Sequence, residues 1–429
     1  MPNKFNPILK EVLAEVKPSE KEMKEIEKTL ANHIKKIKRN IQRRKINAEI
    51  FIGGSFAKKT LIKKDSYDID IFIRFDKKYK NGVLSDLTEK ILAGTGARST
   101  RIHGSRDYFR FGISQNLFFE VVPVKKIQNP RQAENITDLS YSHVNYIKKK
   151  IKSEKLLDEI RLAKAFCYAN GSYGAESYVQ GFSGYGLELL IYHYKSFLKF
   201  INAVIKADIN DKIIIDIEKH HKNKNRILMD MNEAKLKSPI VLVDPTYKQR
   251  NVLAALSEET FRNFQGVCRN FLKKPTKGFF IPKAMNIEKI KLNADKKGLE
   301  FVLLKIKTDK QEGDIAGSKL LKFHRHLAEE IGKFFEIKEK GFEYQKRKDG
   351  ISFFVVKKRP FIIVTGPMVA QEKHAIRFKE KYKEIFIKNG RLYSKVYIKS
   401  TLRQFLQNWK DKNRKKLEEM SVSSLEIID

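Results

Sequence analysis

Two aspartates on one predicted strand, shortly after a Gly-Gly-Ser turn, constrain this chain more than any other feature. The segment from Gly53 to Phe75 reads GGSFAKKTLIKKDSYDIDIFIRF and carries Asp68 and Asp70 in its β-rich second half. Because successive residues of a strand face opposite ways, Asp68 and Asp70 point to the same side. Two carboxylates on one face, near a turn rich in backbone N–H donors, can hold a divalent metal against a triphosphate.

The residues around the turn supply further candidate groups. Ala48–Ile52 is a short apolar run that predicts a strand leading into the turn, and Gly53 and Gly54 permit tight backbone with positive φ. Ser55 and Lys58 are predicted at the start of a helix, where free N–H groups and a cation suit the β- and γ-phosphates of a nucleotide.

A third carboxylate is expected from a neighbouring strand. Glu120 lies within Leu117–Val124, a β-branched and aromatic run that follows another predicted strand at Asp107–Ile113. Isolated Asp-x-Asp pairs are commonly solvated turns or caps. A pair that follows a Gly-Gly-Ser turn, joined by a later acid between apolar neighbours, favours a metal site over a surface strand.

The chain carries a large excess of positive charge. Its 429 residues include 88 Lys+Arg against 51 Asp+Glu, a formal net charge of +37. Codon bias toward Lys would raise Glu as well, and Glu does not keep pace. The excess therefore favours a polyanionic partner. Nucleic acid is preferred over an acidic membrane, because no apolar stretch reaches about 20 residues.

The cysteines and the N-terminus bear on the compartment. Cys167 and Cys268 lie in apolar contexts without metal-ligand spacing, which predicts buried free thiols in a reducing environment. No charged segment followed by an apolar run opens the chain, so secretion is not indicated. We expect a cytoplasmic protein.

The distribution of apolar residues predicts three domains, at 1–141, 142–274 and 275–429. In the first, Ser19 and Glu22 form a capping box that opens a long amphipathic helix. The second is mainly helical, with a strand at Ile240–Val243 and a turn before Arg250. Pro275–Pro282 (PTKGFFIP) is interpreted as a linker into the third domain.

The third domain alternates strands and helices, which predicts an α+β fold with an antiparallel sheet, a ferredoxin-like fold being one option. Predicted strands are Phe301–Ile306, Phe342–Gln345, Ile351–Val356, Phe361–Val364 and Arg391–Ile398, and predicted helices are Ser318–Phe335, Gln371–Ile385 and one from Thr401. Lys379–Lys383 and Lys410–Lys416 suit contact with an RNA backbone. The final SVSSLEIID is expected to be frayed.

Several sequence blocks, in this order, carry a resemblance to a known family. They are GGSFAKKT from Gly53, DIDIF from Asp68, EVVP from Glu120, ANGSYGAESYVQGFSGYGLELLI from Ala169, VDPTYKQRNV from Val243 and GFFIPK from Gly278. Together they resemble the archaeal (class I) CCA-adding enzymes, which are tRNA nucleotidyltransferases, over nearly the whole chain. The first three blocks are shared by polymerase β-type nucleotidyltransferases in general, and the Gly/Tyr loop and the Asp-Pro…Arg-Asn segment are more specific.

The resemblance implies a multidomain α+β fold with a polymerase β-type nucleotidyltransferase head, a helical neck and an α+β body and tail that binds tRNA. It implies Mg²⁺-dependent, template-independent addition of C, C and A from CTP and ATP to the 3′ end of immature tRNA, with release of pyrophosphate. Two alternatives stay open, a poly(A)- or poly(U)-type RNA terminal nucleotidyltransferase and a catalytically inactive RNA-binding homologue. The oligomeric state is also open, a homodimer being one option.

The resemblance also implies residue roles. Asp68, Asp70 and Glu120 would be the catalytic, metal-binding triad. The residues implied in nucleotide binding are Gly54, Ser55, Lys58, His143, Lys164, Tyr173 and Arg250. Three positions depart from the family's usual pattern. Glu120 stands where Asp is usual, Lys58 where Arg is frequent, and Ser105 or its neighbours where an acidic contact to the base would be expected. Glu presents the same oxygens as Asp, so Glu120 is expected to retain metal binding.

Overall fold

The computed structural model describes residues 4–64, 66–208, 211–282, 285–345 and 347–428. The chain divides into two compact units, Met1–Lys283 and Ala284–Asp429. The predicted boundary between residues 141 and 142 lies inside the first unit, and the three-domain division stays a prediction. No helix among the described residues is long and apolar enough to cross a membrane.

The first part of unit 1 contains a five-stranded sheet. Its helices and strands are α1 (Asn6–Val16), α2 (Glu20–Arg43), β1 (Ala48–Ile52), α3 (Gly54–Ala57), β2 (Tyr67–Phe75), α4 (Asn81–Ala93), β3 (Thr100–Ile102), β4 (Tyr108–Ser114) and β5 (Leu117–Lys125). The strand order is β1-β2-β5-β4-β3, and β2 runs parallel to β5 while the other neighbours are antiparallel. The predicted capping box at the start of α2 is confirmed.

The packing of this sheet fixes the direction of its polar residues. Ile69, Ile71 and Ile73 of β2 are fully buried in a core shared with the apolar stripe of α2. Because side chains alternate along a strand, Asp68 and Asp70 are directed to the opposite face. Burying the isoleucines therefore places both aspartates on the face that the helix leaves uncovered.

The second part of unit 1 is mainly helical. Its elements are α5 (Ser140–Lys150), α6 (Glu154–Ala169), α7 (Gly184–Tyr194), α8 (Phe197–Lys206), β6 (Ile213–Ile215), α9 (Lys224–Asp230), α10 (Glu233–Leu236), β7 (Ile240–Asp244), β8 (Tyr247–Asn251) and α11 (Glu258–Lys273). A core rich in phenylalanine joins α6, α7, α8 and α11. Leu9 and Val12 of α1 and the preceding Phe5 pack here too. Both cysteines are free and buried, as predicted.

Unit 2 contains two antiparallel sheets. Its elements are α12 (Ile287–Lys296), β9 (Glu300–Lys307), α13 (Asp314–Gly332), β10 (Phe335–Tyr344), β11 (Asp349–Lys358), β12 (Phe361–Met368), α14 (Glu372–Lys381), β13 (Glu384–Lys388), β14 (Arg391–Tyr397), α15 (Leu402–Lys412), α16 (Arg414–Glu419) and β15 (Ser424–Ile428). The first sheet has the order β10-β11-β9-β15. With α13 and α15 as its connections this is the βαββαβ arrangement, so the ferredoxin-like prediction is confirmed. The sheet β12-β14-β13 with α14 is inserted between β11 and α15.

Four local predictions were wrong. Ser424–Ile428 is not frayed, because it pairs with β9, and Asp429 lies outside the described residues. Phe335 begins a strand rather than ending a helix, and the predicted helix at Gln371–Ile385 is shorter because Glu384–Lys388 forms an edge strand. Part of the predicted linker is core, since a 3₁₀ helix at Lys277–Phe280 buries the Phe280 ring against α6.

Candidate active site

The turn after β1 is built tightly against β2. The backbone N–H of Gly53 donates to the carbonyl of Asp70 at 2.9 Å. Gly54 has φ +59°, and a Cβ added there would lie 1.7 Å from Asp70 Oδ2, so only glycine fits without displacing that carboxylate. The helix that follows is one turn long and ends at Ala57. Lys58 therefore lies at its C-terminal end, and the prediction that it begins a helix was wrong.

The strand register brings the three predicted carboxylates to one face. Asp70 on β2 is the direct partner of Glu120 on β5, and Asp68 lies two residues earlier on the same side of β2. Burial raises the pKa of Asp70 to about 6, with Asp68 adding to the rise and Lys58 opposing it. Burial also raises the pKa of Glu120 to about 8, and the charges of Asp70 and Asp68 reinforce it. Both carboxyl groups are therefore harder to ionise here than in water.

A basic residue that the sequence analysis did not single out lies among these acids. Arg110 on β4 is the register partner of Glu120. Its Nη2 donates to Asp68 Oδ1 at 3.0 Å, and its Nε lies 3.5 Å from Glu120 Oε1. The guanidinium carbon lies 4.1 Å from the centroid of the Phe118 ring. The alternation of Arg110 with the buried Phe109 and Phe111 is the sequence signal that could have placed it on the carboxylate face.

The carboxylate face suits a divalent cation chemically, although its side chains are not closed around one. Among the described residues, no group of three or more His, Cys, Asp or Glu side chains is arranged to hold a metal ion. Oxygen ligands are nonetheless what Mg²⁺ and related cations prefer. Burial and the neighbouring acids raise the pKa of Asp70 and of Glu120, so a cation placed beside them would favour their ionised forms. The donor set fits such an ion, and the assignment of these ligands stays a prediction.

Opposite the carboxylates, two predicted phosphate-binding lysines meet on a buried glutamate. Lys58 Nζ lies 2.7 Å from Glu188 Oε2, and Lys164 Nζ lies 2.8 Å from Glu188 Oε1. Thr60 Oγ1 donates to Glu188 Oε1 at 2.7 Å. Burial would raise the pKa of Glu188, but Lys164 and Lys58 outweigh it and lower that pKa to about 2. Burial lowers the pKa of Lys164 to about 8, with Glu188 opposing the change.

A cavity of about 340 Å³ joins the two groups of charges. The predicted site residues that line it are Gly54, Ser55, Lys58, Asp68, Asp70, Lys164 and Tyr173. Glu176 and Gly184 also line it, and the Tyr173 hydroxyl comes within 2.9 Å of the position that a Cβ on Gly184 would take. The structure therefore brings most of the predicted nucleotide-binding residues around one space. Of the predicted site residues that the structure describes, Glu120 does not line this cavity.

The remaining predicted nucleotide-binding residues, His143 and Arg250, form a second cluster around Asp244. His143 Nε2 lies 2.9 Å from Asp244 Oδ2, and Arg250 Nη1 donates to the same oxygen at 2.8 Å. Burial would raise the pKa of Asp244, but His143 and Arg250 hold it below its usual range. Burial lowers the pKa of His143. The His143 ring stacks on Tyr185 with ring centroids 4.2 Å apart, and Lys58 Nζ lies 5.8 Å from the centre of the Tyr185 ring.

Sequence reasoning missed the two acids that organise these cations. Glu188 is the single acid in the apolar helix GYGLELLIYHY, and a lone carboxylate in such a helix is expected to be buried and paired. Asp244 ends the fully buried strand β7, directly before the turn that joins β7 to β8. Arg250 follows that turn, as predicted, and lies on β8, which pairs with β7.

Fold and site together define a nucleotidyltransferase. A family model of the nucleotidyltransferase domain matches residues 34–138, and one described as the second domain of tRNA nucleotidyltransferase matches residues 158–281. Among solved structures, Cid1, described as an RNA terminal uridylyl transferase, superimposes with a TM-score of 0.52 at 15% identity, covering 66% of this chain and 99% of its own. At that identity the likeness bears on the fold alone.

Comparison with curated proteins narrows the class. A CCA-adding enzyme of Methanocaldococcus jannaschii is 31% identical over 427 residues, covering 97% of this chain and 92% of its own. That of Pyrococcus abyssi is 28% identical over 432 residues, covering 98% and 94%. The enzyme of Nanoarchaeum equitans is 40% identical over 213 residues, covering 50% and 52%. This chain belongs to the CCA-adding enzyme family of tRNA nucleotidyltransferases.

Proposed function

We propose that this chain adds C, C and A, without a nucleic acid template, to the 3′ end of immature tRNA, using CTP and ATP and releasing pyrophosphate. The observation that supports this most is the cavity with carboxylates on one wall and buried lysines on the other. Transfer of a nucleotidyl group needs little covalent chemistry from the protein. It needs the triphosphate held in place and the developing negative charge balanced, and the two walls are suited to these tasks.

The acidic wall is the proposed metal site. Asp68, Asp70 and Glu120 would hold Mg²⁺, which when bound supplies positive charge for the attacking 3′-hydroxyl and the departing pyrophosphate. Asp70 is fixed by the close approach of Gly54, so its carboxylate has little freedom to turn. Glu120, its neighbour in register, offers the longer side chain of the three and could reach the RNA hydroxyl as ligand or base.

The basic wall is the proposed triphosphate site. Lys58 and Lys164 are held apart on the two oxygens of Glu188. Lys58 keeps N–H bonds that can be donated to phosphate oxygens. Lys164 donates to Glu188 Oε1, Thr60 Oγ1 and the Thr60 carbonyl, so it would act on the phosphates through its charge. Ser55 and the backbone of the Gly54 turn would contribute further donors. Tyr173 lines the same cavity and could pack against the sugar.

Recognition of the base is assigned to the cluster around Asp244. Asp244 is fully buried and fixes Arg250, whose side chain keeps 20% of its surface exposed. The guanidinium has five N–H donors, and those not facing Asp244 suit the acceptor edge of cytosine. His143 shares the same carboxylate oxygen and stacks on Tyr185. It would hold the cluster in place beside the triphosphate site.

The tRNA is proposed to contact the second unit through the uncovered face of the sheet β12-β14-β13. α14 packs on one face of this sheet, around Leu392 and Phe378. The other face carries stacked rings, with Phe386 and Tyr393 centroids 5.5 Å apart, and Lys395 Nζ lies 5.1 Å from the centre of the Phe361 ring. Aromatic rings beside lysines are typical of surfaces that bind unpaired bases and the phosphate backbone.

A gel-resolved incorporation assay tests the proposed activity. Labelled CTP or ATP and Mg²⁺ would be supplied with tRNAs ending before the first C, after one C and after two. We expect C, C and then A to be added, with no further extension. Runs of A or U on any RNA would assign the chain to the poly(A)- or poly(U)-type transferases, and absence of incorporation with retained tRNA binding would indicate an inactive RNA-binding homologue.

A further inference from the structure

We propose that Arg110 is a resident counter-ion of the carboxylate face, occupying with its guanidinium the space into which the metal must move. This inference rests on the proposed function, because it assumes that Asp68, Asp70 and Glu120 are the metal ligands. Arg110 would not be a further metal ligand. It would compete with the metal for the carboxylate oxygens and so affect how the metal binds.

The geometry carries the proposal. Arg110 contacts two of the three acids at once, through Nη2 to Asp68 Oδ1 at 3.0 Å and through Nε, 3.5 Å from Glu120 Oε1. Its own position on β4 directs it there, because it is paired in register with Glu120. A cation shared by Asp68 and Glu120 would need the same oxygens that the guanidinium now faces.

Within the described part of the chain, Arg110 makes one hydrogen bond to the acids, through Nη2 to Asp68, and leaves its Nε unbonded. The side chain is therefore held at the carboxylate face by few contacts that must be broken when it leaves. Its Nε is buried without a hydrogen-bond partner among the described residues, since the approach to Glu120 lacks hydrogen-bond geometry. The side chain keeps 35% of its surface exposed and rests on the Phe118 ring. A long side chain with an open path to solvent can leave the acids without disturbing the sheet.

The positive charge of Arg110 affects how a metal ion binds to the three carboxyl groups. Placing three carboxyl groups on one face disfavours the ionisation of all three, and one guanidinium offsets part of that cost. A divalent ion arriving alone must displace Arg110 and so binds weakly. When the ion arrives with a triphosphate, the phosphates add contacts to Lys58 and are attracted by the charge of Lys164. Arg110 would therefore favour loading of metal together with nucleotide over loading of free metal.

Direct metal binding in the absence of nucleotide and RNA tests this. Mn²⁺ would be titrated into the full chain by calorimetry, with the metal-dependent change in melting temperature as a second readout. We expect Arg110→Ala to bind Mn²⁺ about tenfold more tightly than the wild type, the scale of one charge-assisted hydrogen bond. Unchanged or weaker binding by Arg110→Ala would overturn the proposal.

Two further variants make the result specific. Arg101→Ala is the matched control, because Arg101 lies on β3 of the same sheet and pairs with Asp86 and Asp107 instead. It should bind Mn²⁺ like the wild type, and tightening equal to that of Arg110→Ala would reduce the effect to net charge and overturn the proposal. Arg110→Lys keeps a cation but loses the forked contacts, so we expect a smaller tightening. If Arg110→Ala does not fold, unchanged affinity in Arg110→Lys decides against the proposal.

Asp70→Asn separates this inference from the function on which it rests. If Asp70→Asn binds Mn²⁺ as well as the wild type does, the carboxylate face is not the metal site and the proposed assignment fails. If Asp70→Asn loses binding while Arg110→Ala shows no gain, the metal site stands and only the role of Arg110 fails.

Discussion

The buried carboxyl groups of the five-stranded sheet and those of the helical part of unit 1 have pKa values shifted in opposite directions. Asp70 and Glu120 have raised pKa values, because burial and neighbouring acids are only partly offset by cations. Glu188 and Asp244 have no exposed surface, yet their pKa values are lowered because each contacts two basic side chains. The negative charge of Asp70 and Glu120 is not fully compensated by nearby basic residues, and a bound cation would compensate it. The negative charge of Glu188 and Asp244 is compensated by side chains of the protein itself.

The difference indicates that the two groups of carboxylates have different roles. A balanced buried carboxylate can fix the position of other side chains, and an under-balanced one is available to bind a cation. Removing an acid from the first group should therefore impair catalysis and spare the fold. Removing one from the second should impair the fold as well.

The largest effect is expected from Asp70→Asn. The change removes a charge from a crowded acidic face, so CTP incorporation should fall by at least about 10²–10³-fold, the scale for losing one electrostatic contact to the transition state. The melting temperature should not fall, because repulsion with Asp68 and Glu120 is relieved. Incorporation and thermal unfolding measured together check both parts. Asp86→Asn, an exposed acid on α4, is the control. Normal turnover in Asp70→Asn would contradict the metal assignment.

Glu188→Ala is expected to have the opposite signature. It leaves Lys58 and Lys164 buried without their carboxylate. The free energy of unfolding should fall by about 3–5 kcal/mol, as for other buried pairs broken on one side. Chemical denaturation measures this. Glu258→Ala, which removes an exposed partner of Arg262 on α11, should cost less than about 1 kcal/mol. Equal losses in the two variants would show that Glu188 is not an organising residue.

The strands that carry Asp68, Asp70 and Glu120 could be predicted from the sequence. The pairing of the buried acids with their basic partners could not. The alternation in β2 and β5 predicted that Asp68, Asp70 and Glu120 share a face, because strand geometry is a local property. The contacts of Glu188 with Thr60 and of His143 with Asp244 join residues more than a hundred positions apart, and no local pattern encodes such pairs. The edge strand β13 was missed for a related reason, since pairing with β14 overrides a helical pattern in the Lys-rich segment.

The pH dependence of kcat/KM for CTP should report the pKa of Lys164. Because burial lowers its pKa to about 8, Lys164 loses its charge as pH rises through that value, and kcat/KM for CTP should fall about tenfold per pH unit above it. Lys58, Lys64, Glu188 and Asp70 are charged groups that interact with it. In Glu188→Gln the fall should begin at lower pH, because the carboxylate that raised the pKa of Lys164 is gone. A profile that does not move between the two proteins would remove Lys164 from phosphate binding.

The smallest effect is expected at the edge of the balanced cluster, from Arg250→Ala. Asp244 keeps His143 and the backbone and hydroxyl donors of Thr246, so the fold should be retained. Preference for CTP over ATP on tRNA lacking its first C should drop by about tenfold, the scale of one good hydrogen-bonded base contact. Direct competition between the two nucleotides measures this, with Arg262→Ala as the exposed control. An unchanged preference would place base reading elsewhere. A changed preference with a stable fold would show that one buried acid can anchor recognition without itself touching the substrate.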